Sequence, residues 1–306
     1  MGKSEKSAFI LITALLVLLI GFILIRALTS HDAVRVYRVS IITDDVQGDY
    51  SANVLKGLDR AARDYNIDLQ VIALHSGMTT EQQKNSLERE LESETDAIIL
   101  NLQQNPNLSE QLDLSAMSVP VISLGTAWDG SSSIRSISTD DAAMGRMLAK
   151  EMIKDGVTSC AIRASLDNAR VRLREQGFIE AIEAAGIPYA SEWNPESIAW
   201  GSFPAGVAVA ALDEPSLEML LDQRMLNRPA LYGIGYTNTL LSNLESGVIR
   251  RLIVEDDYAM GYLALQSAVD AIENHGKVYE QILECYVADA EHLYQEPLKH
   301  ILFPIS

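Results

Sequence analysis

The side chains that most often perform chemistry are sparse in this chain and form no known catalytic arrangement. The histidines lack the spacing of a metal site, and no serine or cysteine lies on a recognisable nucleophile elbow with a histidine partner. The turn after the first predicted strand, residues 44–50, contains one glycine and so is not a phosphate-binding loop. The five histidines are His31, His75, His275, His292 and His300. We therefore expect a protein that is not an enzyme and that uses no cofactor.

Three aspartates near the start of the chain are the best candidates for a metal site. Asp44, Asp45 and Asp49 could surround a cation with carboxylate oxygens. They lack the bidentate glutamate and the fixed spacing of a calcium-binding loop. We therefore expect no metal site.

Charge and cysteine content limit the possible partners. The net charge of -18 argues against nucleic-acid binding, because phosphate contacts require a basic face, and it suits an extracytoplasmic surface. The only two cysteines are Cys160 and Cys285. Spacing alone leaves open whether they form a disulfide or are two small apolar side chains in the core.

The N-terminus predicts a membrane anchor. Residues 7–25 are uncharged and apolar, and about 20 such residues span a bilayer as a helix. A secretory signal has a shorter apolar region of ~7–15 residues and a small-residue cleavage site, which residues 26–30 do not offer. We assign residues 7–28 to a transmembrane anchor, with a cleaved signal as the alternative.

Flanking charges set the expected orientation of that anchor. Lys3 and Lys6 favour a cytoplasmic N-terminus for residues 1–6, with everything after the anchor outside. No cysteine directly follows the apolar run, which argues against a lipoprotein. The expected location is the cell membrane, single-pass, with the large domain extracytoplasmic.

The rest of the chain alternates between short apolar β-branched runs and helical stretches, the pattern of βαβ units around parallel sheets. This pattern predicts an α/β fold of two similar lobes, residues 35–154 and 155–274, with residues 275–306 crossing the hinge. Strands are predicted at 37–43, 69–73, 97–100, 121–124, 134–138, 159–163, 207–212, 231–235 and 249–254. Helices are predicted at 50–65, 80–93, 140–154, 170–185, from 214, at 237–245 and at 258–274.

Several short motifs, in their order and spacing, resemble the type-I periplasmic binding proteins, above all the ribose- and galactose-binding proteins. The resemblance extends over nearly all of residues 35–302. The motifs are residues 39–42 (VSII), 56–57 (KG), 97–100 (AIIL), 118–122 (SVPVI), 139–145 (TDDAAMG), 172–178 (RLREQGF) and 234–235 (IG).

This resemblance implies two lobes, each a parallel sheet flanked by helices, that close on a small polar ligand in a hinge cleft. Tyr50 stands where an aromatic of the first βα loop stacks on a sugar, and Arg172 or Arg174 where an arginine contacts the ligand. Asp140 lies in the turn that heads the next helix. Sugars need such partners because each hydroxyl both donates and accepts a hydrogen bond.

The chain also departs from the family at several expected sugar contacts. An Asp-Arg pair after the fourth strand is replaced by Gly125-Thr126, with Trp128 nearby, and an amide before Asp213 by Leu212. An aspartate after the ninth strand falls on Gly235, followed by Tyr236, and a late glutamine is Glu255. The candidate ligand residues are therefore Tyr50, Thr126, Trp128, Asp140, Arg172, Arg174, Asp213, Tyr236 and Glu255.

Each candidate also has a purely structural interpretation. An arginine on a surface helix is often solvated or ion-paired, and Asp140 could be a helix cap. Tyr50 and Trp128 could be core or rim aromatics, while Trp193 and Trp200 could cover the second lobe, where residues 197–205 replace a helix of the family.

Three hypotheses for function follow. The first is a solute-binding protein that delivers a small polar, sugar-like ligand to a transporter permease. The second is a ligand-sensing accessory module for a membrane signalling partner such as a sensor kinase. The third is a degenerate binding fold with a structural or interaction role.

Overall fold

The computed structural model of the protein describes residues 12–23, 35–43, 49–74, 80–101, 119–125, 135–166, 168–190, 207–222, 229–274 and 280–304. The chain divides into two units, residues 1–36 and residues 37–306. In the first unit, residues 12–23 form helix α1. None of the helices within the described ranges combines the length and the apolar character that a bilayer span requires. The predicted anchor at residues 7–28 extends beyond the described part of α1 at both ends.

The second unit contains two six-stranded sheets, one for each predicted lobe. The first sheet has the order β11-β5-β4-β3-β1-β2, and all its strand pairs are parallel. Its central strands are buried throughout, as expected for a parallel sheet covered on both faces. The strands are β1 (Tyr37–Thr43), β2 (Ile67–Ala73), β3 (Ala97–Asn101), β4 (Val121–Gly125), β5 (Arg135–Thr139) and β11 (Glu280–Leu283). The helices of this lobe are α2 (Asp49–Tyr65), α3 (Thr80–Leu91) and α8 (Asp257–Asn274).

The second sheet repeats the arrangement with the order β12-β10-β9-β8-β6-β7, and only β12 is antiparallel to its neighbour. Its strands are β6 (Ser159–Arg163), β7 (Tyr189–Ala190), β8 (Val207–Ala211), β9 (Ala230–Ile234), β10 (Ile249–Glu255) and β12 (Cys285–Ala288). Its helices are α4 (Asp141–Lys154), α5 (Ala169–Ala184), α6 (Glu214–Asp222), α7 (Asn238–Glu245) and α9 (Leu298–Leu302). The α/β fold of two similar lobes, predicted from the sequence, is thus confirmed.

The chain passes between the lobes three times. It leaves the first sheet after β5 through Asp140, returns after β10 through Asp256, and passes again between β11 and β12 at Glu284. Helix α4 therefore belongs to the second lobe, where Met144 and Leu148 share a core with Phe178. The first lobe is predicted to end at residue 154, but in the structure the chain leaves it at Asp140. The reason is that the apolar face of α4 is buried against α5 rather than against the first sheet.

Two pairs of helices cross so closely that glycine is required at the contact. A Cβ at Gly57 of α2 would overlap the carbonyl oxygen of Tyr258, and one at Gly261 of α8 would overlap that of Val54. In the second lobe, Gly145 of α4 and Gly177 of α5 lie equally close to Arg174 O and Ala142 O. Three glycines of the sequence motifs therefore serve helix packing. Gly57 lies at the crossing in the first lobe, and Gly145 and Gly177 lie at the crossing in the second lobe.

The two cysteines lie far apart in the second sheet. Cys160 is in β6 and Cys285 in β12, with β8, β9 and β10 between them. Four strand spacings amount to about 19 Å, well beyond the reach of a disulfide. Both thiols are free, and burial raises the pKa of Cys160 to about 11 and that of Cys285 to about 12.

Candidate functional site

The carboxyl ends of the two sheets meet at the hinge. Strand β5 ends at Thr139 and strand β10 at Glu255, and the Thr139 hydroxyl donates a 2.8 Å hydrogen bond to Glu255 Oε2. Both side chains are buried. Since ligands of open α/β sheets bind beyond the carboxyl ends of the strands, this junction positions the candidate site.

Arg170, near the start of α5, bonds to residues from three different elements. Its Nε donates to Asp141 Oδ2 at 2.9 Å, and its Nη2 donates to Thr139 Oγ1 and Glu255 Oε2, each at 2.8 Å. The residue is only 3% exposed. One guanidinium group thus bonds to the last residue of β5, the last residue of β10 and the first residue of α4.

Arg174 lies one helical turn further along α5 and binds the same two carboxylates. Its Nε donates to Asp141 Oδ1 at 2.8 Å, its Nη2 to Glu255 Oε1 at 3.4 Å and its Nη1 to Leu212 O at 3.3 Å. Each arginine therefore binds a different oxygen of Asp141, so both carboxylate oxygens receive a charge-assisted hydrogen bond. We call Thr139, Asp141, Arg170, Arg174 and Glu255 the hinge network.

Two positive and two negative charges balance inside the hinge network. Burial acts to raise the pKa of Asp141, but the charges of Arg170 and Arg174 outweigh it and hold that pKa below its ordinary value. A paired and hydrogen-bonded set of this kind can remain charged in the interior. The network is therefore held together by paired charges and hydrogen bonds.

A second cluster adjoins the network and also joins the two lobes. Tyr236, two residues after the end of β9, accepts a 3.0 Å hydrogen bond from Asn53 Nδ2 of α2 and donates to Ile301 O at 3.4 Å. Its main-chain N–H donates to Glu214 Oε1 at 2.8 Å. Tyr236 and Asn53 line a cavity of roughly 160 Å³ at this side of the lobe junction.

Two carboxyl groups near Tyr236 have raised pKa values. Removal from water raises the pKa of Glu214 to about 8, although the Tyr236 N–H and the charge of Arg174 oppose this shift. Complete burial, with Glu255 and Glu214 nearby, also raises the pKa of Asp257 well above its ordinary value. Asp257 Oδ1 has no hydrogen-bond partner among the described residues.

The pKa of Glu214 predicts a pH dependence of stability. The folded protein keeps the Glu214 proton up to about pH 8, whereas the unfolded chain loses it near its ordinary pKa of 4.5. The contribution of Glu214 to stability should therefore be largest below about pH 4.5 and decline as the pH rises towards 8, by at most about 1.4 kcal/mol per pH unit. Glu214→Gln should remove this contribution to the decline while that of Asp257 remains, and urea unfolding at several pH values would measure the smaller slope of the variant. Glu291→Gln, an exposed carboxylate of the same lobe, should follow the wild-type slope. Equal slopes for all three proteins would contradict the prediction.

Comparison with known proteins assigns the fold to a family. A family model described as a periplasmic binding protein domain matches residues 39–277. The chain belongs to the periplasmic binding proteins. No curated protein sequence matches the chain.

Solved structures of periplasmic binding proteins resemble the chain over most of its length. GanP, a glucose-galactose binding protein from Geobacillus stearothermophilus, is 18% identical with a TM-score of 0.67, covering 86% of this chain and 100% of GanP. A carbohydrate transporter solute-binding protein from Agrobacterium radiobacter, in complex with D-arabinose, is 16% identical with a TM-score of 0.70, covering 87% and 98%. The XylFII-LytSN complex contains a chain that is 17% identical with a TM-score of 0.67, covering 84% and 99%. At these identities the similarity establishes the fold.

Among the residues expected to bind ligand in this periplasmic binding protein, Arg174 and Glu255 come together in the hinge network. Tyr236 lies beside it, with its side chain buried against Asn53 and its main chain against Glu214. Arg172 points elsewhere: it is exposed, and its Nη1 donates to Leu166 O at 2.7 Å. Of the two arginines left open by the sequence, only Arg174 contacts the carboxylates at the hinge.

Asp140 and Asp213 both act as helix caps. Asp140 precedes α4 and accepts a hydrogen bond from Ala143 N at 2.8 Å, with Arg146 at 3.5 Å. Asp213 precedes α6 and accepts bonds from Ser216 N and Ser165 N at 2.8 and 2.7 Å, as well as from both serine hydroxyls. The oxygens of Asp213 are therefore occupied by the protein itself, whereas the half-exposed Asp140 side chain keeps access to solvent.

The remaining expected contacts lie outside what the structure describes. Thr126 and Trp128 fall outside the described residues, as do Trp193, Trp200 and residues 197–205. Tyr50 lies in the first turn of α2, but its side chain is not described. Sequence reasoning missed Thr139, Asp141 and Arg170 as members of the network, and Glu214 beside it.

Proposed function

We propose that this protein is an extracytoplasmic solute-binding protein that closes on a small polar, sugar-like ligand and delivers it to a transporter. The observation that carries the proposal is the junction of the carboxyl ends of β5 and β10, where hydrogen-bonding side chains of both lobes converge. Relatives of the same fold provide support, since one was solved with D-arabinose and another is a glucose-galactose binding protein. Recognition of this kind needs no chemical step, and the ligand should be recovered unchanged.

The three crossings between the lobes suit a hinge motion. Each crossing is short, at Asp140, Asp256 and Glu284, so a few main-chain torsions can absorb a rotation of one lobe against the other. Bonds that join the lobes, such as Asn53 to Tyr236, can re-form or break with that rotation. A ligand that touches both lobes would stabilise the closed arrangement by its differential affinity for it.

We further propose that residues 7–28 anchor the protein in the membrane, with residues 1–6 in the cytoplasm. The support is the apolar run itself, which has the length of a bilayer span. Mass spectrometry of the protein from membranes tests the anchor. A mature N-terminus that begins beyond residue 25 would show instead that the segment is cleaved.

A second candidate function is a ligand-sensing module for a membrane signalling partner. It is supported by the resemblance to a chain of the XylFII-LytSN complex, since that relative was solved with another protein. Cross-linking in membranes distinguishes the two functions. Capture of a transporter permease supports delivery, and capture of a sensor kinase supports sensing.

Binding itself is tested by thermal unfolding of the full chain in a detergent without a sugar headgroup. The panel comprises pentoses and hexoses, their amino, N-acetylamino and carboxylate derivatives, nucleosides and amino acids. A ligand at 100 times its Kd should stabilise the folded state by about 2.7 kcal/mol and raise the melting temperature. Shifts confined to nucleosides or amino acids would exclude a sugar-like ligand. A panel without any shift would favour the degenerate binding fold.

A further inference from the structure

Glu214 presents a carboxylate at the junction of the sheets, and among the described residues only one of its two oxygens accepts a hydrogen bond. Its Oε1 accepts the Tyr236 N–H at 2.8 Å, while its other oxygen has no partner among the described residues. The side chain is half-buried, and residues 211–213 on its N-terminal side are buried. Because α6 begins at Glu214, three residues after the last residue of β8, this side chain belongs to the carboxyl end of the sheet, where open α/β folds bind ligands.

Gly235 explains why the carboxylate can occupy this position. Gly235 has φ +100°, and a Cβ there would lie 2.8 Å from Glu214 Oε1 and would overlap Glu214 Cγ. A side chain after β9 and the Glu214 side chain therefore compete for the same space. The resemblance to the family places an aspartate at residue 235, so the chain has lost one carboxylate there and gained another from α6.

Carboxyl groups outnumber the cations at the junction. Arg170 and Arg174 are matched by Asp141 and Glu255 at 2.8–3.4 Å. Glu214 and Asp257 are two further acids with no arginine or lysine within ion-pair distance among the described residues. Asp257 is 1% exposed, and its Oδ1 lacks a hydrogen-bond partner in the same set of residues. The junction is thus two positive charges short of balance when all four acids are ionised.

We infer that the ligand of this site carries a protonated amine and that Glu214 binds it, which makes amino sugars the preferred class. This inference rests on the proposed function and narrows it. An ammonium group supplies donors for the second Glu214 oxygen and a positive charge that offsets the Glu214 carboxylate once it ionises on binding. A carboxylated sugar would bring a negative charge to a junction whose two arginines are already paired with Asp141 and Glu255.

Ammonium binding should be coupled to release of a proton. The charged groups that face Glu214 are Arg174 of α5, Glu255 of β10, Glu218 of α6 and Asp257 of α8. With a pKa of about 8, Glu214 holds its proton in the empty site below that pH. A cation against the carboxylate favours its ionised form, so binding at about pH 6.5 should release close to one proton.

Calorimetry of the full chain tests the inference with a matched series: an amino sugar, its N-acetyl derivative, the neutral parent and its carboxylate. D-glucosamine, N-acetyl-D-glucosamine, D-glucose and D-glucuronate form one such series, and the same set is made for the sugar that gives the largest thermal shift. The amino sugar should bind about 10- to 100-fold more tightly than the neutral parent, as a charge-assisted hydrogen bond predicts. Glu214→Gln, which keeps the bond to Tyr236 N, should abolish this preference and the proton release, while Glu291→Gln should leave both unchanged.

The outcomes separate this inference from the proposed function. Equal binding of amino and neutral sugars, tighter binding of the carboxylate, or a preference that survives Glu214→Gln would overturn the inference and leave sugar binding intact. The absence of binding for every sugar, whatever its charge, would overturn the proposed function and the inference with it.

Discussion

Replacing Arg170 with methionine should lower the free energy of unfolding by about 3–5 kcal/mol, because removal of one partner leaves buried charges uncompensated. Arg170 is 3% exposed and bonds to Asp141, Glu255 and Thr139. Without it, Arg174 alone faces two carboxylates. Urea unfolding of the full chain at neutral pH measures the loss.

Two further variants show whether charge is the cause. Arg172→Met removes an exposed arginine of the same helix, whose Nη1 donates to Leu166 O, and should change stability by at most about 0.5 kcal/mol. Glu255→Gln, added to Arg170→Met, removes one unmatched negative charge and should recover part of the loss, as a positive coupling in a double-mutant cycle. An Arg170→Met effect no larger than that of Arg172→Met would contradict the network.

The fold could be predicted from sequence because its strands are short, apolar and regularly spaced. Strands β1 and β6 begin and end at the predicted residues, and most other predicted bounds differ by one or two. The four-residue strands β11 and β12 were not predicted, since neither is long enough to show a period. The lobe boundary at Asp140 could not be predicted either, because the apolar face of α4 fits a sheet of either lobe.

The hinge network was only partly predictable, although a signal for Arg170 was available. Residues four apart lie on the same face of a helix, so Arg170 and Arg174 belong together and Arg172 lies on another face. The family motif at residues 172–178 instead predicts a ligand contact at Arg172 or Arg174. The four-residue spacing alone indicates Arg170 and Arg174, the two arginines that the structure places against Asp141 and Glu255.

The roles of Asp140 and Asp213 depended on information that the sequence does not hold. An aspartate before a helix is an equally good cap and ligand contact, since both uses need a carboxylate at the carboxyl end of a strand. For Asp213 the structure shows a cap, because Ser165 of another loop donates to both carboxylate oxygens through its N–H and its hydroxyl. That loop lies 48 residues away in sequence.

Gly177→Ala is expected to destabilise the protein by about 1–3 kcal/mol, although alanine is favoured over glycine inside a helix by about 1 kcal/mol. The added Cβ would overlap the carbonyl oxygen of Ala142, so α4 and α5 must move apart. Since Asp141 precedes Ala142 directly, this movement also draws its carboxylate away from Arg170 and Arg174.

Gly186→Ala provides the matched control, because Gly186 follows the same helix with φ +68° and a Cβ added there would meet no atom within 4 Å. Gly186→Ala should lower the free energy of unfolding by about 1 kcal/mol, the cost of holding alanine at a positive φ, and should leave the hinge network unchanged. If the crossing positions Asp141, the losses from Gly177→Ala and Arg174→Met should overlap rather than add. Fully additive losses would mean that the glycine contact supports the core of the second lobe independently of the charges at the hinge.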